Sequence, residues 1–176
     1  LPSLTKQSAD NQEIFKSIES VDAVCHVVRA FTDETIFHID GSINPERDIT
    51  FVESELLLAD LLFTEMRIER LEKDLKRKND PRSVKERALM DRVHAFLTEE
   101  KPLRIFPLTD EERKTLNAYP YLSRKNMICV LNVDEQAITS STLLANMKTA
   151  FAEKGIYFVQ VSCKIENELA ALEEEN

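Results

Sequence analysis

Short apolar runs alternate along this chain with longer segments of helical periodicity. Four runs predict strands, because they are apolar and bounded by polar turns: residues 23–29, 103–106, 127–131 and 156–161. Helical patterns fill six segments between them: residues 11–20, 48–78, 82–99, 109–118, 141–154 and 165–174. Strands that are nearly continuous in apolar residues are typical of parallel sheets buried on both faces. The order of elements predicts an α/β fold with a mostly parallel sheet and right-handed crossovers.

The apolar face of the helical pattern that begins at residue 48 becomes narrower along the chain. The first half has a broad apolar face, and the second half keeps only a stripe of Leu61, Ile68, Leu71 and Leu75. Asn79-Asp80-Pro81 is a turn signal, after which a second helical pattern begins. We therefore expect an antiparallel helical hairpin, a short coiled coil, inserted into the α/β domain. Two surface helices lying flat on a core remain the alternative.

Polar loops follow the last two predicted strands, Asn132-Val133-Asp134-Glu135 and Ser162-Cys163-Lys164. Ligands of open α/β sheets lie beyond the carboxyl ends of strands, so both loops could converge on one flat heterocycle. The Asn132 carboxamide can donate and accept, which suits purine N7 and the exocyclic group beside it. Glu135 could accept from N–H donors of the base, and its extra methylene relative to Asp should weaken a preference for guanine. An Asn-capped turn, and a serine that only caps the next helix, remain the alternatives.

Charge limits the kinds of partner. The 176-residue chain carries a formal net charge of −9, which excludes nucleic-acid binding over its whole surface. Positive residues nevertheless collect at the predicted hairpin tip, and five of them are candidates for contact with RNA or a ribosome: Lys76, Arg77, Lys78, Arg82 and Lys85. A solvated helix face is an equal alternative.

Other site types are not indicated. The three histidines lack the spacing of a metal site, and no apolar run approaches the roughly 18 residues of a membrane span. Cys25, Cys129 and Cys163 lie in or beside apolar runs and are predicted to be buried free thiols, as in the cytoplasm. Only Gly41 and Gly155 occur, which is few for an α/β protein.

Three groups of residues give the chain a resemblance to the YchF family of Obg-like ATPases. They are the run Val21–Phe31, the run His38–Ile49 with Glu53-Ser54-Glu55-Leu56-x-x-Ala59-Asp60, and the two polar loops. The resemblance implies a P-loop NTPase fold of the translation-factor class, ATP preferred over GTP, Mg²⁺ dependence and ribosome association in the cytoplasm. It also implies a division into residues 1–47 (partial nucleotide-binding domain), 48–100 (hairpin) and 101–176 (its remainder). By position, Asn132 and Glu135 would read the base, Val133 would pack on it, and Ser162 with Cys163 would close the pocket.

The sequence differs from that family in the motifs that bind the nucleotide phosphates. The glycine-rich phosphate loop, the Mg²⁺-contacting threonine loop, the D-x-x-G switch and the carboxyl-terminal β-domain are absent from these residues. Leu1-Pro2-Ser3 and Leu4–Ala9 resemble the two flanks of the phosphate loop with its centre removed. We therefore assign no catalytic residue and no metal ligand. The alternative function is a catalytically degenerate interaction module that acts through the hairpin.

Overall fold

The computed structural model describes residues 8–38 and 40–174, so the Ser3–Leu4 junction lies outside the described residues. The helices are α1 (Ser8–Glu19), α2 (Pro45–Arg77), α3 (Pro81–Thr98), α4 (Asp110–Leu116), α5 (Thr142–Ala150) and α6 (Cys163–Glu174). The strands are β1 (Ala23–Arg29), β2 (Asn126–Asn132) and β3 (Ile156–Val161). They form a parallel sheet in the order β1-β2-β3, and the predicted fold class is confirmed.

The fourth predicted strand is wrong. Residues Leu103–Ile105 form one turn of 3₁₀ helix. The Leu103 N–H donates to the Ser123 hydroxyl at 3.1 Å, and the Arg104 N–H donates to the Ser123 carbonyl at 3.0 Å. Prolines precede and follow the segment at positions 102 and 107, and each removes a backbone donor that a sheet ladder would use. Apolar content alone could not separate a short turn from a strand here.

The described chain divides into two compact units. The hairpin unit comprises residues 8–22 and Val52–Asn126, and the sheet unit comprises residues 23–38, 40–51 and 127–174. Helix α2 begins in the sheet unit and continues into the hairpin unit. Residues 103–126 lie in the hairpin unit, whereas the domain division given above assigns them to the nucleotide-binding domain; that division stays a prediction.

The sheet unit buries one face of its sheet. Strands β2 and β3 pair in parallel from Met127↔Ile156 to Asn132↔Val161. Their buried side chains alternate with exposed ones and, together with Val28 of β1, pack against α5 and the first turns of α2. This core consists of Val28, Ile49, Cys129, Leu131, Met147, Phe151 and Phe158. The opposite face is exposed and apolar, with Val27, Ile128, Tyr157 and Val159 at its surface. The expectation that the strands are buried on both faces is therefore wrong for the described residues.

Two of the three cysteines lie in strands and follow the same alternation. Cys129 points to the buried face and is fully buried, as predicted. Cys25 and Cys163 are exposed free thiols, so the prediction of burial is wrong for both. Cys25 lies two residues before Val27 in β1, and alternate residues of a strand share a face. Its exposure is a second sign that the face carrying Val27 is open.

The hairpin unit contains the antiparallel helix pair that the sequence predicts. Two polar contacts join α2 to α3, and the position in α2 increases as the position in α3 decreases. They are a contact of His94 with Glu65 at 3.4 Å and an ion pair of Arg67 with Glu86 at 2.6 Å. The Asp80 side chain caps α3 by accepting from the Ser83 N–H at 3.2 Å. The apolar core of this unit consists of Leu57, Leu71, Leu89, Met90, Val93, Leu97, Leu103, Phe106, Leu116 and Tyr121.

Two acidic residues of α2 fix the segment that follows α3. Glu53 and Arg104, both almost fully buried, form a two-pronged ion pair with N–O distances of 2.8 and 2.9 Å. Seven residues along α2, the buried Asp60 carboxylate accepts from the Leu122 N–H, the Ser123 N–H and the Ser123 hydroxyl at 2.6–2.8 Å. Burial raises the pKa of Asp60 to about 6, against these hydrogen bonds, which lower it.

Candidate functional site

The carboxyl ends of β2 and β3 lie side by side. Asn132 is the last residue of β2 and is in register with Val161, the last residue of β3. The ladder continues one step further, because the Val133 N–H donates to the Val161 carbonyl at 2.9 Å. The two polar loops singled out in the sequence therefore start from neighbouring points on one edge of the sheet.

Asn132 holds the start of α6. Its side-chain oxygen Oδ1 accepts from the Cys163 N–H at 3.0 Å. The Asn132 carbonyl is also held, since it accepts from the Ala30 N–H at 2.8 Å. These contacts fix the orientation of the carboxamide and leave its amino group Nδ2 as the donor that can reach a ligand.

Ser162 does not serve as the helix cap that the alternative interpretation expects. Its residue exposure is 2%, and among the described residues its hydroxyl has no hydrogen-bond partner. Only its carbonyl takes part in α6, by accepting from the Glu166 N–H at 3.0 Å. The first-turn amide of Cys163 is bound by Asn132 instead. A buried hydroxyl without a partner costs free energy, so it marks a place where a ligand atom would be stabilised.

Glu135 and Lys164 join the two loops through an ion pair of 2.6 Å. Both side chains are exposed, and the hydrogen bond with Glu135 raises the pKa of Lys164. The sequence analysis did not identify this pair. Its signal was available, because oppositely charged residues follow two neighbouring parallel strands at nearly the same distance from the strand ends.

Val133, like Ser162, is a predicted base-site residue whose side chain is covered by protein. Its exposed fraction is 2%, so little of its surface is left for a base to cover. The loop above it is fixed by Asp134, whose carboxylate accepts from the Ala137 N–H at 2.7 Å. Gln160 adds a second anchor, donating to the Ala137 and Ser140 carbonyls at 2.9 and 3.0 Å. These two anchors were not predicted, since a sequence does not show which backbone groups a side chain will meet.

The hairpin tip presents the basic residues predicted there. Lys76, Arg77, Lys78, Arg82 and Lys85 are all exposed. Lys85 pairs with Glu111 at 3.3 Å. Within the described part of the chain, the other four make no ion pair, so their charge is open to a partner.

The described residues offer no set of ligands for a metal ion: no group of three or more His, Cys, Asp or Glu side chains converges in residues 8–38 and 40–174. The Mg²⁺-contacting threonine loop that the family resemblance implies is absent from these residues, so we assign no ligand and derive no step through the ion. No helix in that range has both the length and the apolar character to cross a membrane.

Comparison with known proteins shows which sequences the chain is similar to. The chain is 35% identical over 161 residues to the ribosome-binding ATPase YchF of Bacillus subtilis (strain 168), a match of 90% of this chain and 44% of that protein. It is 33% identical over 159 residues to the same-named protein of Haemophilus influenzae, with the same two coverages. Obg-like ATPase 1 of Oryza sativa subsp. japonica is 35% identical over 119 residues, 68% of this chain and 30% of that protein.

The fold agrees with these sequence matches. The structure of the Schizosaccharomyces pombe YchF GTPase superposes with a TM-score of 0.82 at 27% identity, over 95% of this chain and 47% of that one. No protein-family model matches the chain. The chain spans a little under half the length of the YchF relatives named here. Its sequence and its fold agree with these relatives, and the chain belongs to the YchF and Obg-like ATPase family.

Proposed function

We propose that this chain is part of a cytoplasmic, ribosome-associated P-loop ATPase that also hydrolyses GTP, and that the edge formed by β2 and β3 binds the purine base. The observation that carries the proposal is the hydrogen bond from the Cys163 N–H to Asn132 Oδ1 at 3.0 Å. It joins the two loops and orients one amide donor outward. Relatives named ribosome-binding ATPase and Obg-like ATPase support the same activity.

In the proposed pocket, the Asn132 amino group donates to N7 of the purine. Adenine and guanine both offer N7 as an acceptor, so this contact favours purines without choosing between them. The group beside N7 differs: adenine has an amino donor there and guanine a carbonyl acceptor. Asn132 Oδ1 already accepts from Cys163, and its second lone pair can accept from the adenine amino group.

The start of α6 supplies donors for the other face of the pocket. The Cys163 N–H is used by Asn132, whereas the Lys164 and Ile165 N–H groups belong to the first turn and have no carbonyl partner within the helix. Open amides at a helix start favour a carbonyl or ring nitrogen that carries partial negative charge. The Ser162 hydroxyl, buried without a partner, can donate or accept there.

Glu135 would read the N–H donors of the base. Its carboxylate is held 2.6 Å from Lys164, so binding a base requires sharing this ion pair. Guanine presents two adjacent donors on one edge, and the shorter Asp would meet them in a two-pronged contact. We expect Glu135→Asp to raise affinity for GTP relative to ATP by about tenfold, which corresponds to about 1.4 kcal/mol. An unchanged ratio in isothermal titration would refute the role given to Glu135.

Asn132 has two proposed roles, accepting from the Cys163 N–H and donating to the purine, and a substitution can separate them. Asn132→Asp keeps an oxygen for the Cys163 N–H and removes the amino donor, whereas Asn146→Ala changes an exposed amide on α5. Isothermal titration of the full-length protein with ATP and GTP should show a loss of about tenfold or more for the first variant and less than about twofold for the second. Equal affinities for the two variants would contradict the pocket.

Hydrolysis requires groups that this chain does not contain. Catalysis in P-loop NTPases depends on positioning and charge stabilisation by backbone amides, a lysine and Mg²⁺ that cradle the phosphates. We therefore expect a polypeptide of these residues alone not to hydrolyse ATP, and the full-length protein to do so with Mg²⁺. If the full-length protein binds neither nucleotide but still binds ribosomes, the alternative of a degenerate interaction module is correct.

Ribosome association would use the hairpin tip. Lys76, Arg77, Lys78 and Arg82 form an exposed positive surface without ion pairs among the described residues, on a chain of net charge −9. Replacing Arg77 and Arg82 by Glu should abolish co-sedimentation with ribosomes and leave ATP affinity unchanged, since neither residue lies in the sheet unit. Retained co-sedimentation at low salt would place the ribosome contact elsewhere.

A further inference from the structure

A polar cleft of about 460 Å³ lies within the hairpin unit, beside α4 and the segment that follows it. It is separate from the candidate base site, which belongs to the sheet unit. The residues that matter for its chemistry are Asp22, Arg104, Arg113, Asn117, Arg124 and Lys125. Four of these six are cationic and only one is acidic, so the cleft is positive although the chain as a whole is acidic.

Most of this positive charge is not neutralised by the protein. Arg104 is the exception, because its guanidinium is paired with Glu53 and also donates to the Lys125 carbonyl at 3.1 Å. Among the described residues, Arg113, Arg124 and Lys125 make no ion pair with a carboxylate. Lys125 donates to the Glu19 carbonyl at 3.0 Å, and Arg124 donates to the Asn117 side chain. Both partners are neutral.

Two of the arginines repel each other. Arg124 is half-buried, and loss of solvation, with a further contribution from the nearby Arg113, lowers its pKa. Like charges held together at a partly desolvated place raise the free energy of the empty cleft. An anion between them would remove this repulsion and replace it with attraction. Stabilisation of the carboxyl-terminal end of α4 by these cations is the purely structural alternative.

We propose that this cleft binds a phosphate group through Arg113, Arg124 and Lys125. Guanidinium groups offer planar pairs of N–H donors that match phosphate oxygens. Against the three cations stands only the Asp22 carboxylate, which leaves an excess of two positive charges. That excess matches a phosphate monoester, whose charge at neutral pH is about −1.5 to −2. The phosphate can come from a small soluble compound or from an RNA backbone, because both present the same oxygens.

The test measures competition at the cleft. Two probes are used, a fluorescein-labelled single-stranded oligoribonucleotide and unlabelled pyrophosphate. Each is titrated against the full chain, against its Arg113→Gln/Arg124→Gln variant, and against a control variant, Lys114→Gln/Lys148→Gln. The control has the same change of charge. We expect about tenfold or more weaker binding for the first variant and less than about twofold for the second. Lys114 lies next to Arg113 on α4 and is exposed, and it does not line the cleft.

The two sources of phosphate give different results. Binding of pyrophosphate without the oligoribonucleotide assigns the cleft to a small phosphate compound, and tighter binding of the oligoribonucleotide with a steep salt dependence assigns it to RNA. Arg113→Gln alone removes an exposed side chain, so it should fold and still weaken binding. The proposal is overturned if neither probe binds below about 1 mM, if citrate binds as tightly as pyrophosphate, or if only changes at Arg77 and Arg82 reduce binding.

Discussion

The two units of this chain are stabilised in different ways. Six polar or charged residues are buried among those that the structure describes, and five of them lie in the hairpin unit: Asn11, Glu53, Asp60, Thr64 and Ser123. The sheet unit has one, Ser162, at the candidate base site. Its small core is otherwise apolar and covers one face of the sheet. The hairpin unit is thus specified by paired polar groups, and the sheet unit by apolar contact on one face.

The difference indicates what each unit needs from its surroundings. Buried ion pairs and hydrogen bonds require defined partners, and the hairpin unit contains such partners within itself: Arg104 for Glu53, Ser123 for Asp60 and Glu55 for Asn11. A parallel sheet is ordinarily covered on both faces, and the sheet unit leaves Tyr157 70% exposed and Val27, Ile128 and Val159 at least 40% exposed. We therefore expect the hairpin unit to be sensitive to loss of single polar groups and the open face of the sheet to tolerate change.

The largest expected effect is the loss of Arg104. Arg104→Met leaves the Glu53 carboxylate buried without its partner, so the free energy of unfolding should fall by about 3–5 kcal/mol. Urea unfolding followed by circular dichroism measures the change. In the Glu53→Gln/Arg104→Met double variant the buried charge is removed, and most of the lost stability should return.

An exposed ion pair of the same unit is the control for Arg104. Lys85 and Glu111 lie 3.3 Å apart with side-chain exposures of 74% and 78%. Lys85→Ala should cost less than about 1 kcal/mol because the pair is screened by water. If Arg104→Met lowers the free energy of unfolding by no more than Lys85→Ala does, the buried ion pair contributes no more to the stability of the hairpin unit than an exposed one.

The next effect is a pH dependence from Asp60. The pKa of its carboxyl is about 6 in the folded protein and 3.8 when the group is free in water, as in the unfolded chain. Between pH 3.8 and pH 6, the folded protein therefore binds a proton that the unfolded chain does not. The free energy of unfolding should therefore increase as pH falls through this window, by about 2 kcal/mol from pH 7 to pH 4.5. Asp60→Asn lacks this group, and the difference between the two proteins isolates the contribution of Asp60 from that of other carboxyls. A difference that does not vary with pH would contradict the raised pKa.

Much of the fold could be predicted from the sequence because the apolar periodicity is strong. Strands β1 and β3 begin and end where the pattern places them, and the limits of α2 and α3 differ by at most three residues. The polar network could not be predicted. Glu53 and Asp60 stand seven residues apart on an otherwise apolar face of α2, which is a signal for buried carboxylates. Their partners Arg104 and Ser123 are more than 50 residues away, and a single sequence does not show which distant residues meet.

The candidate site was predictable in position but not in detail. Strand ends of a parallel sheet share an edge, so the proximity of Asn132 and Ser162 follows from topology. The use of Asn132 Oδ1 by the Cys163 N–H depends on side-chain geometry, which a sequence does not give. The open face could not be foreseen either. Apolar residues on both sides of a strand indicate that both faces are suited to burial, but they do not show whether another element covers each face.

The smallest expected effect concerns this open face, and it completes the contrast between the units. Tyr157→Thr/Val159→Thr replaces two exposed apolar side chains by residues that also favour strands, so the free energy of unfolding should change by no more than about 0.5 kcal/mol. Phe158→Ala, between them on the buried face, should cost about 3–5 kcal/mol. Binding of a hydrophobic dye should fall in the double variant, since the open face loses apolar surface. A cost above about 2 kcal/mol for the double variant would show that this face is already covered in solution, and the sheet unit would then be as closed as the hairpin unit.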